Sequence, residues 1–191
     1  VGDATAVVTA KEPSKPISPT TTDKIATVPG VISVEQTRNV LLQRTDNGQA
    51  ALVNGHLIPT HPHLVKGRAP ATLDEVAVNQ STADNNAAIG SKITVNDPSR
   101  DGAKSITLTV VGVLDPNSRT TTTPTSPEVY LSAASLASIS GHRGANTVYV
   151  NSDRPAAQIV REVSKVVGTT ATVRTADDER AHQADQASQG F

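Results

Sequence analysis

The stretch that decides the fold runs from Gly67 to Leu114 and has the sequence GRAPATLDEVAVNQSTADNNAAIGSKITVNDPSRDGAKSITLTVVGVL. In three of its segments apolar and polar residues alternate, which predicts strands with one buried and one solvated face. These segments are 75–79, 92–96 and 105–114. A short helical segment ending at Gly90 precedes the second strand, and the turn sequence DPSRDG precedes the third. The stretch therefore predicts a small β-rich module.

The order of four features in this stretch resembles the middle of the extracytoplasmic domain of ABC-transporter permeases of the MacB/FtsX type. That family has a Gly-Arg pair, an Asp-Glu pair followed by an alternating strand, a helix of small residues ending in glycine, and a Val-Val-Gly-Val strand. The matching residues are Gly67-Arg68, Asp74-Glu75-Val76-Ala77-Val78, Ala87-Ala88-Ile89-Gly90 with Ile93, and Val110-Val111-Gly112-Val113. A Val-Pro-Gly-Val phrase, here Val28 to Val31, is also similar to that family. The resemblance covers nearly the full chain.

Composition limits the class of protein. The 191 residues suffice for one ordinary domain or two small ones, and only 2% are aromatic, so a core must be built from Val, Ile, Leu and Ala. The 17 basic and 18 acidic residues form no basic patch, so we expect no nucleic acid partner. The absence of cysteine excludes disulfides and thiolate chemistry. Because methionine is absent too, we expect a fragment of a longer protein, and its longest strongly apolar run, Val110 to Leu114, is too short to span a membrane.

The residues on either side of the central stretch carry strand and helix signals in turn. Ile32 to Arg44 fits a long strand or a bent pair of strands, and Asn47-Gly48 predicts a two-residue hairpin with a return strand over 49–53. Ala156 to Val167 has apolar residues at helical spacing, and Gly168 is its predicted C-cap. Other predicted strands are 4–9, 128–131, 146–150 and 170–174, and other predicted helices are 20–28, 132–139 and a polar helix from Asp177 onward.

The chain therefore begins as β-α-β-β and ends as β-α-β, with the β-rich module between them. The predicted fold class is α+β: a split porter-like β-α-β subdomain built from both chain ends, residues 1–62 and 143–191, with an inserted β-rich subdomain, residues 63–142. The resemblance supports this arrangement, because the family uses the same split. It also implies that both chain ends lie on one side, next to the membrane.

Two segments have the residue types of metal sites. Three histidines, His56, His61 and His63, fall within eight residues, and imidazoles are common zinc ligands. The His-Pro-His sequence places its two rings on opposite sides of an extended backbone, however, and no carboxylate is near in sequence, so a solvated loop is the preferred interpretation. The segment from Asp97 to Gly102 has two carboxylates and a glycine but lacks the spacing of an EF-hand and its closing glutamate. A hairpin loop is the preferred interpretation there.

Catalytic chemistry has no recognisable motif in this sequence. There is no G-x-S-x-G, P-loop or G-x-G-x-x-G, which argues against the standard serine-hydrolase and nucleotide sites. A Ser/His/Asp set assembled in space is an alternative that rests on composition alone. We therefore predict a protein that is not an enzyme, with no catalytic, cofactor-binding or metal-binding residue and no cofactor.

Three residues are candidates for a structural or partner-contact role: Arg68, Glu75 and Arg119. Arg68 follows a glycine and Glu75 begins a strand, so an ion pair between them would fix the chain where the module begins; a binding contact is the alternative. Arg119 lies in a Thr/Pro/Ser-rich loop, which is either a flexible arm that touches a partner or, more often for such a tract, disordered. The run Asp177 to Arg180 is either a solvated helix face or, as the resemblance implies, part of a stiff stalk that carries force to a membrane helix.

The resemblance implies a function as the extracytoplasmic domain of an ABC-transporter permease subunit in the cell membrane. Such a domain would couple ATP hydrolysis by a cytoplasmic ATP-binding subunit to the handling of a substrate or protein partner outside the membrane, together with a second permease copy. Members of the group act in drug or peptide efflux, lipoprotein release and control of cell-wall hydrolases, and the sequence does not choose among these. The alternatives are a secreted ligand-binding or adhesion module of α+β type and a secreted hydrolase.

Overall fold

Eleven strands and five helices form in the part of the chain that the structure, a computed structural model, describes: residues 4–12, 14–102, 104–114 and 126–190. The strands are β1 (Ala6–Ala10), β2 (Val31–Thr37), β3 (Asn39–Arg44), β4 (Ala51–Leu57), β5 (Leu64–Gly67), β6 (Glu75–Asn79), β7 (Lys92–Asn96), β8 (Ile106–Leu114), β9 (Glu128–Leu131), β10 (Thr147–Ser152) and β11 (Ala171–Thr175). The helices are α1 (Pro19–Ala26), α2 (Gln80–Asp84), α3 (Ala133–Ser140), α4 (Ala156–Val167) and α5 (Ala176–Gln189).

The chain divides into two compact units. The first, here called the split unit, consists of Val1–Thr37 and Gly144–Phe191. The second, here called the inserted unit, consists of Arg38–Arg143.

The split unit is a four-stranded antiparallel sheet with the strand order β11-β1-β10-β2. Helix α1 connects β1 to β2 and helix α4 connects β10 to β11, so two β-α-β segments contribute the four strands. Along the chain, the inserted unit comes between β2 and β10. The strand order is that of the split β-α-β, or ferredoxin-like, fold. The α+β fold class and the β-α-β construction from both parts of the chain, as predicted from the sequence, are confirmed.

The spacing of apolar residues explains why the helices pack on this sheet. Helix α4 buries Ile159, Val163 and Val167, which recur every fourth residue and so share one helix face. They form one cluster with Ile25 of α1 and with the strand side chains that alternate toward the helices. These strand residues are Ala6, Val8, Val148, Val150 and Ala171. The helix ends at Gly168, the predicted C-cap, which has φ 61°.

Six strands of the inserted unit close into a barrel. The hydrogen-bonded order is β8-β6-β9-β4-β3-β7, and β7 pairs back onto β8, so the ring is complete. Strand β5 pairs with the half of β8 that β7 leaves uncovered. Closing a sheet on itself removes the free edges that an open sheet presents.

Buried aliphatic side chains from all six strands fill the barrel, as their alternation in sequence requires. They are Leu42, Val53, Val76, Val78, Ile93, Val95, Leu108, Val110, Val129 and Leu131, and Leu136 and Ile139 of α3 belong to the same cluster. The three strands predicted from the central stretch are β6, β7 and β8. Helix α3 and strand β9 also form where the sequence predicted them.

The first boundary between the units lies earlier than the residue 62 that we expected from the sequence. The chain passes from the split unit to the inserted unit between Thr37 and Arg38. The physical reason is strand pairing: β3 pairs with β7, and β4 pairs in parallel with β9, so both strands are part of the barrel. The pattern over 32–44 thus contains two strands, β2 and β3, that belong to different units.

In each unit, the residue at which the chain enters and the residue at which it leaves are close together. In the split unit Thr37 pairs with Thr147, and the Asn146 N–H donates to the Thr37 carbonyl at 2.9 Å. In the inserted unit the buried Arg38 guanidinium donates to the His142 carbonyl and, at 2.9 Å, to the Ser140 hydroxyl. The residues at which the chain enters and leaves each unit are therefore neighbours within that unit.

The connection between β3 and β4 is longer than the two-residue hairpin predicted at Asn47-Gly48. The two strands pair as far as Arg44 and Ala51, so residues 45–50 form the connection. Gly48 has φ 82°, but Asn47 is not among the described non-glycine residues with positive φ, so the expected turn geometry is absent. The longer connection lets its side chains reach the segment between α2 and β7, which a tight turn would not allow.

Two glycines of the motif in the central stretch are required by close backbone approach. A Cβ on Gly112 would overlap the Arg68 carbonyl oxygen, and a Cβ on Gly67 would overlap the Val111 carbonyl oxygen. Gly67 also has φ 72°, which side-chain-bearing residues rarely adopt. These glycines let β5 lie directly beside β8, where Gly67 pairs with Gly112.

Candidate functional site

The start of β1 and the end of β11 lie at the same end of the four-stranded sheet. The two strands are antiparallel neighbours, and Ala6 is paired with Thr175. Immediately beyond this pair, the Ala176 N–H donates to the Thr5 carbonyl at 3.3 Å. Residues 4 and 5, before β1, and the helix after β11 therefore lie at the same end of the sheet. Local sequence patterns do not reveal this juxtaposition, because it depends on which strands become neighbours.

Helix α5 extends from this place as a polar rod. Its 14 residues correspond to a length of about 21 Å. None of these residues is buried, and all residues from Gln183 to Gly190 are exposed. Near its start the helix contacts β11 and β1, and there Arg174 donates to the Glu179 carboxylate at 3.3 Å. A helix that is polar on all sides is not held along its length by an apolar face.

Interactions within α5 stabilise it instead. The Thr175 hydroxyl caps the helix by accepting from the Asp178 N–H at 3.1 Å, and three acidic residues occupy the first turn, where the helix dipole favours negative charge. Asp177 pairs with Arg180, and Gln183 donates to the Glu179 carboxylate at 3.1 Å. Of the charged run predicted as a helix face, Asp177 and Arg180 are exposed, whereas Glu179 is largely covered by its contact with Arg174.

The ion pair expected between Arg68 and Glu75 is present in the inserted unit. The guanidinium contacts both carboxylate oxygens, one of them at 2.9 Å. The same carboxylate accepts hydrogen bonds from the Ala71 N–H at 3.0 Å and the Thr72 N–H at 3.3 Å. Glu75 therefore closes the loop that leads from β5 into β6. The Arg68 side chain is 58% exposed, so its outer surface is also accessible to a partner.

Acidification is expected to weaken the fold through Glu75. The hydrogen bond from Arg68, followed by that from the Ala71 amide, lowers the pKa of this carboxyl from 4.5 to about 2. Because the pKa is lowered in the folded state, the carboxylate's contribution to stability is complete above pH 4.5 and is lost as the pH falls toward 2. Urea unfolding across this window should show a smaller loss of unfolding free energy for Glu75→Gln than for the unchanged chain. Glu12→Gln, at an exposed glutamate, is the control, and equal pH dependence in all three proteins would contradict the expectation.

The three histidines considered as metal ligands do not converge. His61 and His63 are exposed, as expected for a solvated loop, but His56 is buried because β4 continues to Leu57. Among the residues that the structure describes, no three His, Cys, Asp or Glu side chains come together as metal ligands. His56 is instead part of a buried polar cluster that the sequence did not reveal.

This buried cluster joins His56 to two residues of β9. The His56 ring stacks on Tyr130 with 5.3 Å between ring centroids, and its Nε2 lies 3.5 Å from a carboxylate oxygen of Glu128. The Tyr130 hydroxyl donates to the other Glu128 oxygen at 2.5 Å, and His56 Nδ1 is 2.6 Å from the Asn39 side-chain oxygen. Glu128 is 1% exposed. The one signal for it in the sequence is a lone acidic residue in the otherwise apolar strand EVYL.

A second polar group is built on the buried Arg44, at the end of β3 in the inserted unit. Arg44 is 4% exposed and contacts both carboxylate oxygens of Asp46 at 3.0 Å, while it donates to the carbonyls of Asn85 at 2.8 Å and Asn86 at 3.1 Å. Burial alone would raise the pKa of Asp46, but hydrogen bonds from Arg44 and from the Thr94 amide hold it below its ordinary value. The guanidinium thus ties the β3–β4 connection to the segment after α2.

The segment considered as a calcium loop is a hairpin loop, as preferred from the sequence. The Asp97 carboxylate is buried and accepts from the Ser99 N–H at 3.0 Å and from the Ser99 hydroxyl at 2.6 Å. Arg100 donates to the Ile139 carbonyl at 2.6 Å, which satisfies the C-terminal end of α3. These contacts give both side chains a structural role.

Two further sequence expectations concern Arg119 and the absence of a membrane-spanning segment. Arg119 lies in residues 115–125, outside the described part of the chain. Across the ranges that are described, no helix is both long enough and apolar enough to cross a membrane.

Comparison with known proteins gives one family and several similar folds. A family model, MacB-like periplasmic core domain, matches residues 2–189. None of the curated protein sequences matches the chain. The extracellular domain of the noncanonic ABC-type transporter YknZ from Gram-positive bacteria is similar with a TM-score of 0.64 and 12% identity, over 91% of this chain and 99% of that one. The periplasmic region of MacB from Actinobacillus actinomycetemcomitans is similar with a TM-score of 0.61 and 13% identity, over 96% of this chain and 94% of that one.

Proposed function

Since the chain belongs to the family of MacB-like periplasmic core domains, which are extracytoplasmic domains of ABC-transporter permeases, we propose that it couples cytoplasmic ATP hydrolysis to the handling of a substrate or protein partner outside the membrane. The family membership confirms the resemblance predicted from the sequence. The domain has no catalytic step in this proposal. Its partners are a cytoplasmic ATP-binding subunit and a second permease copy, both engaged through the full-length permease.

The observation that carries the proposal is that the segment before β1 and helix α5 leave the four-stranded sheet at the same end. β1 and β11 are joined by five paired residues, from Ala6 with Thr175 to Ala10 with Ala171. A displacement applied through α5 therefore reaches β1 and the rest of the sheet through a continuous hydrogen-bond ladder. In the full-length permease, the segments that lead toward the membrane would leave from this end of the sheet.

The two units would then have different tasks. The split unit receives the motion, because α5 and β1 belong to it. The inserted unit presents surface to the substrate or partner, and the exposed face of Arg68 together with Arg119 are the proposed contacts. The carboxylates of Glu75 and Asp97 accept hydrogen bonds within the protein, and His56 is only 3% exposed, which supports a structural rather than a catalytic use.

A break in α5 tests the coupling. Ala184→Pro should kink the helix where it is exposed, at a local cost of about 3 kcal/mol, because proline removes a main-chain donor and clashes with the preceding turn. The split unit should keep its thermal unfolding temperature, since α5 contributes no buried residue. The matched control is Ala184→Ser, which keeps the main-chain donor.

The measurement is made on the full-length permease with its ATP-binding subunit. A spin label at Asp101→Cys, an exposed position, reports the distance between the two copies with and without ATP, in a permease from which any other cysteine has been removed. We expect a nucleotide-dependent change in the unchanged protein and in Ala184→Ser, and a reduced change in Ala184→Pro. An equal change in Ala184→Pro, or none in the unchanged permease, would refute the coupling role.

A further inference from the structure

The inserted unit contains two Asn-Gly sequences, Asn47-Gly48 and Asn54-Gly55. Asparagine before glycine is the sequence most prone to spontaneous deamidation. The main-chain nitrogen of the glycine attacks the side-chain amide carbon, ammonia leaves and a cyclic imide forms. Water then opens the imide at either carbonyl, which gives aspartate or isoaspartate. The attack requires the local backbone to rotate, and glycine permits this because it has no side chain.

The fold prevents this rotation at Asn54. Asn54 and Gly55 lie in the middle of β4, which is hydrogen-bonded to β3 on one side and to β9 on the other. The Asn54 N–H donates to the Pro127 carbonyl at 3.1 Å. Gly55 is buried and packed so closely that a Cβ there would lie 2.7 Å from the Leu42 side chain. Attack by the Gly55 nitrogen would require both strand pairings to open.

The fold leaves Asn47 accessible. Asn47 and Gly48 are exposed in the 45–50 connection, outside the strand ladders. Gly48 has φ 82° and open space around its α-carbon. The Asn47 side-chain oxygen accepts from the Asn86 amide at 2.9 Å, and its nitrogen donates to the Asn85 side-chain oxygen at 3.1 Å. The donor at 2.9 Å polarises the amide carbon that is attacked and stabilises the negative charge that develops on the oxygen.

We propose that Asn47 is a site of spontaneous deamidation in the folded protein and that Asn54 is protected. Aspartate or isoaspartate at residue 47 would change the contacts between the β3–β4 connection and the segment after α2. A carboxylate at residue 47 cannot donate to the Asn85 side chain, so one of the two side-chain hydrogen bonds between residue 47 and that segment is lost. It also adds a negative charge next to Asp46, which holds the buried Arg44. Deamidation therefore weakens the link between the β3–β4 connection and the segment after α2.

Peptide mapping by mass spectrometry that resolves isoaspartate tests this proposal. The purified chain is incubated at neutral and at alkaline pH, both folded and in urea. In urea both asparagines should convert at similar rates, because each precedes glycine. In the folded chain Asn47 should convert at least about tenfold faster than Asn54, which corresponds to a local opening free energy of about 1.4 kcal/mol for β4.

Two variants complete the test. Asn47→Gln should abolish the conversion at residue 47, and Asn47→Asp should reproduce the lowered urea midpoint of the aged protein. Equal conversion of the two asparagines in the folded chain would overturn the proposal. So would an intact Asn47 in the folded chain over a period in which the chain in urea converts.

Discussion

Replacement of Arg44 by methionine is expected to lower the free energy of unfolding of the inserted unit by about 2–4 kcal/mol, because the hydrogen bonds of a buried guanidinium are lost. The guanidinium makes four contacts, two to the Asp46 carboxylate and two to main-chain carbonyls after α2. Methionine keeps much of the apolar stem but offers no donor. Both carbonyls lose this donor, and the Asp46 carboxylate keeps the hydrogen bond from the Thr94 N–H. Urea unfolding followed by circular dichroism measures the effect.

The control for Arg44 is Arg143→Met, the same replacement at an exposed arginine. Exposed substitutions away from such networks usually change stability by no more than about 0.5 kcal/mol. A loss at Arg44 no larger than that at Arg143 would show that the buried guanidinium is not needed to hold the β3–β4 connection. The Asn47 link would then be the more important of the two contacts to the segment after α2.

Truncation of Glu128 to alanine is expected to cost the inserted unit about 2–4 kcal/mol. The carboxylate is 1% exposed, accepts from the Tyr130 hydroxyl and faces His56 Nε2. Alanine removes this acceptor and leaves a void beside two stacked rings. The free energy of unfolding in urea gives the loss, and the near-ultraviolet circular dichroism of Tyr130 should change with it.

Glu128→Gln separates the shape of this side chain from its charge. Glutamine fills the same volume, and its carbonyl oxygen still accepts from the Tyr130 hydroxyl, so we expect less than half of the loss seen with alanine. Equal losses in the two variants would mean that the negative charge facing His56, rather than the packing and the hydrogen bond, stabilises the cluster. If neither variant lost stability, the cluster would not contribute to the stability of the inserted unit.

Local sequence patterns predicted the strands and the helix whose apolar residues recur on one face. Strands β6, β7 and β8 follow the alternation of the central stretch, and α4 follows its apolar spacing, because each buries one face against a core. The start of the inserted unit was less predictable. Strands β3 and β4 belong there through pairing with β7 and β9, which lie far along the chain. A single sequence carries no record of such long-range partners.

The candidate site was predictable to a similar degree. The pair Arg68 and Glu75 could be expected because the two residues flank one short loop. The cluster of His56, Glu128 and Tyr130 could not, because it forms where two parallel strands place distant residues side by side. Asn47 stood out only as a turn signal, and its contacts to the segment after α2 could not be predicted from the local pattern.

The neighbouring connection points of each unit have an evolutionary consequence. The chain leaves the four-stranded sheet at Thr37 and returns beside it at Asn146, while Arg38 holds the two ends of the barrel unit together through His142. A unit whose ends are already adjacent can be exchanged, enlarged or replaced by a short hairpin without disturbing its host sheet. The barrel can therefore change in size or surface chemistry without altering the path of the chain through the four-stranded sheet.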